Sequence, residues 1–205
     1  MKIKNALSLL AAALMIGCGG GSDEPSRPSV TLDGDSIAFG LGLPVKPADM
    51  LRNHGFEVVD KTAVGLLLPD MVAGYSAPYA DAPADHYPNG PQPAYSSVSR
   101  STQFVVLQAG ANDVMFAPET FEASLVSAVR TLQAEGRTVV LTGITQITPE
   151  PPAWREANEA THRIARDFGL RHAGWDSVQI TTIDGIHPDE ASMRQLVQRL
   201  VTQLH

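Results

Sequence analysis

From Val30 onward the sequence alternates short β-prone apolar runs with stretches of helical periodicity, and this limits the fold more than any other feature. Val30-Thr31-Leu32 opens the series and stops at Asp33-Gly34-Asp35-Ser36. Pro47 to His54 has a helical pattern, with Gly55 placed to end it. Glu57-Val58-Val59-Asp60 predicts a second strand, and Phe104 to Gln108 a third, β-prone enough to lie buried on both faces. Pro118 to Glu135 repeats Phe121, Leu125, Ala128, Val129 and Leu132 at helical spacing. Thr138 to Thr142 predicts a fourth strand, Trp154 to Phe168 a helix, Leu170 to Gly174 a fifth strand and Pro188 to Leu204 a last helix with Pro at its start. Strand–helix–strand repetition of this kind predicts an α/β fold: a five-stranded parallel sheet between two helical layers, flavodoxin-like, in one domain over 29–205.

In such sheets, sites gather where the strands end. Asp35-Ser36 follows the first strand, Gly65 the second and Gly110-Asn112-Asp113 the third, so the polar residues collect on one rim. The pattern breaks from Tyr75 to Ser101. This segment carries Pro78, Pro83, Pro88, Pro91 and Pro93, all four tyrosines and no periodicity. It reads either as part of a substrate pocket wall or as a surface loop packed by its own tyrosines. The net charge of -7, with no Lys/Arg cluster, excludes a nucleic-acid partner. No spacing of Cys, His, Asp or Glu marks a metal site, and no cofactor motif is present.

Ser36 follows a strand at a tight turn that would lift its hydroxyl above the sheet; alone, it would equally serve as a helix cap. A serine hydroxyl attacks only when a base takes its proton, and an imidazole, titrating near neutrality, is suited to that work. Asp184 lies three residues before His187, a spacing that sets both side chains on one side of a turn. Gly34-Asp35-Ser36-Ile37, Ala63-Val64-Gly65, Gly110-Ala111-Asn112-Asp113 and Asp184-Gly185-Ile186-His187 resemble, in order, the sequence blocks of the SGNH (GDSL-type) serine hydrolases, with Ile37 for the usual Leu. The resemblance covers nearly the whole chain after the leader. It implies an ester hydrolase with Ser36 as nucleophile, His187 as base and Asp184 orienting the imidazole. It also implies an oxyanion hole from the N–H groups of Ser36 and Gly65 and the amide of Asn112. The implied substrate is a small-molecule or glycan ester, with no cofactor and no metal. An acyltransferase on the same fold and a non-catalytic surface-binding lipoprotein are the rival readings. Asp35 reads as structural and Asp113 as a turn or cap residue. The other histidines, together with Trp154 and Trp175, read as surface or packing residues.

The leader has its own logic. Lys2 and Lys4 precede an apolar run from Ala6 to Ile16, broken only by Ser8, and Gly17-Cys18 follows. This is the layout of an export signal over 1–17, too short for a comfortable membrane span. Gly17-Cys18 resembles a bacterial lipobox, with Met15 in place of the usual Leu. That resemblance implies lipid on Cys18 and a flexible tether over 18–28, rich in Gly, Ser and Pro. The chain is thus expected to be exported and anchored to a bacterial membrane, the outer one preferred because Gly19 replaces the Asp that favours inner-membrane retention.

Overall fold

The computed structural model describes residues 27–74 and 93–205. The expected signal, Cys18 with its expected lipid, most of the expected tether and the greater part of the Tyr/Pro-rich segment lie outside the described residues.

The five strands are β1 (Ser29–Gly34), β2 (Glu57–Thr62), β3 (Phe104–Gln108), β4 (Thr138–Leu141) and β5 (Arg171–His172). All are parallel, in the order β2-β1-β3-β4-β5. Every residue of β3 is buried, which is why its apolar run is continuous instead of alternating. The helices are α1 (Ser36–Phe39), α2 (Pro47–Asn53), α3 (Leu68–Ala73), α4 (Asp113–Phe116), α5 (Pro118–Ala134), α6 (Trp154–Asp167) and α7 (Glu190–Gln203). The step from β1 to β2 runs one way along the sheet and every later step the other way. Right-handed crossovers therefore send their helices to opposite faces. In keeping with this, α2 packs against α7, and α5 packs against α3 and α6. The expected three-layer arrangement is the observed one.

Several boundaries differ from expectation, β5 and the start of α7 among them. β5, one of the two edge strands, keeps only two paired residues, both paired with β4. α7 begins at Glu190, capped by the Asp189 carboxylate, which accepts the Ser192 N–H at 2.8 Å. Pro188 thus stands before the cap and pairs instead with Thr182 in an isolated bridge.

Register decides what the rim looks like. Gly34 pairs with Thr62 on one side and with Gln108 on the other, so β1, β2 and β3 end at one level. Ser36, Gly65 and Asn112 all follow from that level. A Cβ on Gly34 would sit 2.3 Å from the Gln108 carbonyl oxygen, so only glycine lets the two central strands close here. Gln108 also holds the turn itself: its Oε1 accepts from the N–H groups of Asp35 (3.3 Å) and Ala38 (3.0 Å).

Candidate active site

Ser36 is the first residue of α1, not its cap. The cap is Asp35, whose Oδ1 accepts the Ile37 N–H at 2.9 Å. The helix after β1 is one turn long, so Ser36 is fixed between a sheet end and a helix start, 5 % exposed. The His187 ring reaches it from the loop after β5: Nε2 lies 2.8 Å from Ser36 Oγ, across 151 residues of sequence. On the other side of the ring, Nδ1 lies 2.6 Å from Asp184 Oδ2. Asp184 Oδ1 accepts the backbone N–H of His187 at 2.8 Å and of Ile186 at 3.0 Å. Burial pushes the Asp184 carboxyl up, but these N–H groups and the His187 ring outweigh it and hold it down at about 2. A carboxylate so held accepts the Nδ1 proton, and this leaves the Nε2 lone pair facing the serine hydroxyl.

Gly65 lies in the loop after β2 with φ at 77°, a conformation that favours glycine. Neither its N–H nor that of Ser36 has an acceptor among the described residues. Gly74, the other nearby glycine, is far along at the end of α3. Asn112 follows β3 and is half-buried. Its Nδ2 donates to the Leu66 carbonyl at 3.0 Å, and an amide nitrogen has a second proton to give. The structure thus brings Ser36, Gly65, Asn112, Asp184 and His187 together on one rim. Of these five, Asp184 alone also lines an open cavity of about 410 Å³, whose wall mixes Val114, Ile147 and Ile186 with Thr148 and Glu150.

Asp113 stands otherwise than the sequence suggested, while Asp35, Trp154 and Trp175 stand as it suggested. Asp113 is no mere turn residue: it is 0 % exposed, and its Oδ1 accepts the Leu68 N–H at 2.9 Å, from 45 residues away. Burial pushes its carboxyl up to about 6, against the Leu68 N–H. Asp35 is buried as well and is pushed up to about 7, the Ile37 N–H opposing and the Asp113 charge adding to the rise. Tyr95 of the Tyr/Pro-rich segment is buried. Its hydroxyl donates to Asp33 Oδ2 at 2.5 Å, and the Arg100 guanidinium lies over its ring, so it packs against β1 and is held there. A smaller cavity beside it, about 110 Å³, touches none of Ser36, Asp184 or His187. Trp154 and Trp175 donate their indole N–H groups to the carbonyls of Thr145 and Leu196, as packing residues do.

One cluster escaped the sequence because its members come from three elements. His162, His172 and Asp176 have ligand-type atoms within 4.8 Å of one another. Two of those ring atoms are already engaged. His162 Nε2 is paired with Asp176 at 2.8 Å, and His172 Nδ1 accepts the Gly174 N–H at 3.1 Å. In neutral His172 that bond places the proton on Nε2, so the Nδ1 lone pair is taken by the Gly174 N–H and Nε2 has none to offer an ion.

No protein-family model matches the sequence, and no curated protein matches it. Solved structures do. A member of the lipolytic G-D-S-L family from Veillonella parvula superposes with a TM-score of 0.66 at 16 % identity, over 86 % of this chain and 97 % of that one. A carbohydrate acetylesterase from Sinorhizobium meliloti gives 0.63 at 15 % identity, over 87 % and 98 %. An acetyl xylan esterase gives 0.63 at 17 % identity, over 85 % and 98 %. At such identities the likeness is one of fold, and the fold is that of the SGNH hydrolases.

Proposed function

We propose that this chain hydrolyses carboxylic esters through an acyl-enzyme on Ser36. The observation that carries the reading is the hydrogen-bonded line Ser36 Oγ–His187 Nε2, His187 Nδ1–Asp184 Oδ2, at 2.8 and 2.6 Å. His187 takes the hydroxyl proton as Ser36 Oγ attacks the ester carbonyl. Asp184 stabilises the imidazolium that forms. The tetrahedral oxyanion is met by the N–H groups of Ser36 and Gly65 and by the free proton of the Asn112 amide, donors fixed before the substrate arrives. His187 then gives its proton to the departing alkoxide. In the second half, water attacks the acyl-serine with His187 again as base, and the acid leaves as Ser36 recovers its proton. Every one of these groups belongs to the chain itself.

The substrate class is a small-molecule or glycan ester. Two of the structural neighbours bear names for deacetylation of carbohydrates, which supports the glycan side. The cavity beside Asp184, with both apolar and polar residues in its wall, offers room for a part of such an ester beyond the triad. Fluorophosphonate labelling of Ser36, together with an acyl-chain-length series of simple esters, tests the reading. Label on wild type but not on Ser36→Ala, with ester turnover, supports it; no label and no turnover on any ester sinks it.

The same proposal places the protein outside the cytoplasmic membrane, held by lipid on Cys18, with the outer membrane preferred. Its support is the sequence from Lys2 to Cys18. Cys18→Ser should then move the protein from the membrane fraction to the soluble one, as fractionation and immunoblotting would show.

A further inference from the structure

The loop that carries Gly65 is short: one bond of its own, from the Leu66 N–H to the Ala63 carbonyl at 3.3 Å, closes the turn about Gly65, and its two ends are held from elsewhere. At its start the Ala63 N–H donates to the Gly34 carbonyl at 2.9 Å, two residues before the serine. At its end two consecutive residues of the β3–α4 turn grip it from opposite sides. Asn112 Nδ2 donates to the Leu66 carbonyl at 3.0 Å, and Asp113 Oδ1 accepts the Leu68 N–H at 2.9 Å. One grip takes an acceptor and the other a donor, so the peptide planes on both sides of Leu67 are set together. No side chain of the loop helps: Leu67, at the cap position of α3, makes no capping hydrogen bond.

Asp113 is an expensive way to satisfy one N–H. Its carboxyl is wholly buried, and its second oxygen has no partner among the described residues. Burying a carboxyl that is only half satisfied costs stability. The gain must be sought in what the contact holds, and what it holds is the loop bearing Gly65.

We propose that Asp113 is a positioning residue of the oxyanion hole, holding the Gly65 N–H in convergence with Ser36 and Asn112 by accepting the Leu68 N–H. The inference rests on the ester-hydrolase reading above. The chemistry needs it because a donor counts only when aimed where charge develops; an N–H displaced by an ångström still binds substrate but no longer favours the transition state. Asn112 shares the task. One of its amide protons braces the loop and the other faces the reaction, so the two donors are set by one turn.

The test compares Asp113→Leu, close in shape but with no acceptor, with Asp113→Asn, which keeps an acceptor oxygen. Loss of an oxyanion donor costs about 10²–10³ in kcat, so its misplacement in Asp113→Leu should cost about 10–100-fold, with KM within about twofold. Asp113→Asn should return most of that loss. Affinity for a boronic acid, whose adduct with Ser36 sets an oxygen in the hole, should fall in Asp113→Leu in step with kcat/KM and recover in Asp113→Asn. A folded Asp113→Leu with wild-type kcat and boronate affinity overturns the proposal, as does a loss confined to KM. Asp113→Ala carries the comparison where the leucine variant fails to fold. If neither folds while Asp113→Asn does, the carboxyl serves stability alone and the proposal is overturned. A wild-type protein that neither labels with fluorophosphonate nor turns over esters overturns the ester-hydrolase reading itself, a result separate from all of these.

Discussion

Asp184 and Asp113 are both aspartates at the same rim, and their surroundings push them in opposite directions. Asp184 has its partners close by in sequence, on a loop at the surface, with its side chain about half exposed, and its carboxyl is held at about 2. Asp113 takes its partner from 45 residues away, has no exposure, and is pushed up to about 6. On the ester-hydrolase reading proposed above, the difference divides the labour of the site. Charge that changes during turnover is kept on the outer loop, where water and N–H groups tolerate it. Dipoles that must not move are kept in the dry floor, where long-range hydrogen bonds hold them. An oxyanion hole works by being arranged in advance, and a triad works by passing a proton; the two kinds of group are built accordingly.

The sharpest way to break this comparison is to remove the proton-passing side. Ser36→Ala and His187→Ala should each lower kcat by about 10⁶, and the double variant should be little worse than either, since the pair acts as one unit. Steady-state rates on an activated ester measure this. Asp184→Asn keeps the shape but turns an acceptor into a group that can mis-set the imidazole; it should cost about 10⁴ in kcat. An Asp184→Asn rate near that of wild type would show that the outer loop needs only shape.

The floor should respond less and differently. Asn112→Ala removes one donor to the developing oxyanion and one brace on Leu66, and should lower kcat by about 10²–10³ with KM nearly unchanged. A variant that loses KM alone would place Asn112 in ground-state binding.

The smallest effect is one of stability against pH. Asp35 and Asp113 have folded-state pKa values raised to about 7 and about 6, above the ordinary 3.8. Between those limits the folded protein holds more protons than the unfolded chain, so stability falls as pH rises through the window. Asp184 acts with the opposite sign: its share is present above the ordinary carboxyl pKa and is lost as pH falls toward 2. The Tm should therefore be higher at pH 5 than at pH 8, and Asp113→Asn should flatten that slope. Calorimetry at the two pH values decides it, and an identical slope in wild type and Asp113→Asn would show that burial does not raise the Asp113 carboxyl.

The same division explains what could be read from the sequence. β3 matched its expected bounds because all its residues are buried and its apolar run has no interruption. The outer loop was legible because Asp184 and His187 sit three residues apart and their meeting is local. The grip of Asp113 on Leu68 has no local signature, since a backbone N–H leaves no letter in the sequence. The helices α1, α3 and α4 run four to six residues, too few for a period to show. The His162–His172–Asp176 cluster and the Asp33–Tyr95–Arg100 contacts join elements that only the fold brings together.

The direction of β1 has a consequence for how the protein meets its surroundings. The strand begins at Ser29 and ends just before Ser36, six residues that span about 20 Å of the domain. Whatever the chain carries ahead of Arg27 therefore joins the domain at the pole opposite the mouth of the site. A domain held from that end would be moored by its base with its working face outward. Traffic through the mouth would then come from the open side, clear of both the mooring and the surface it is fixed to.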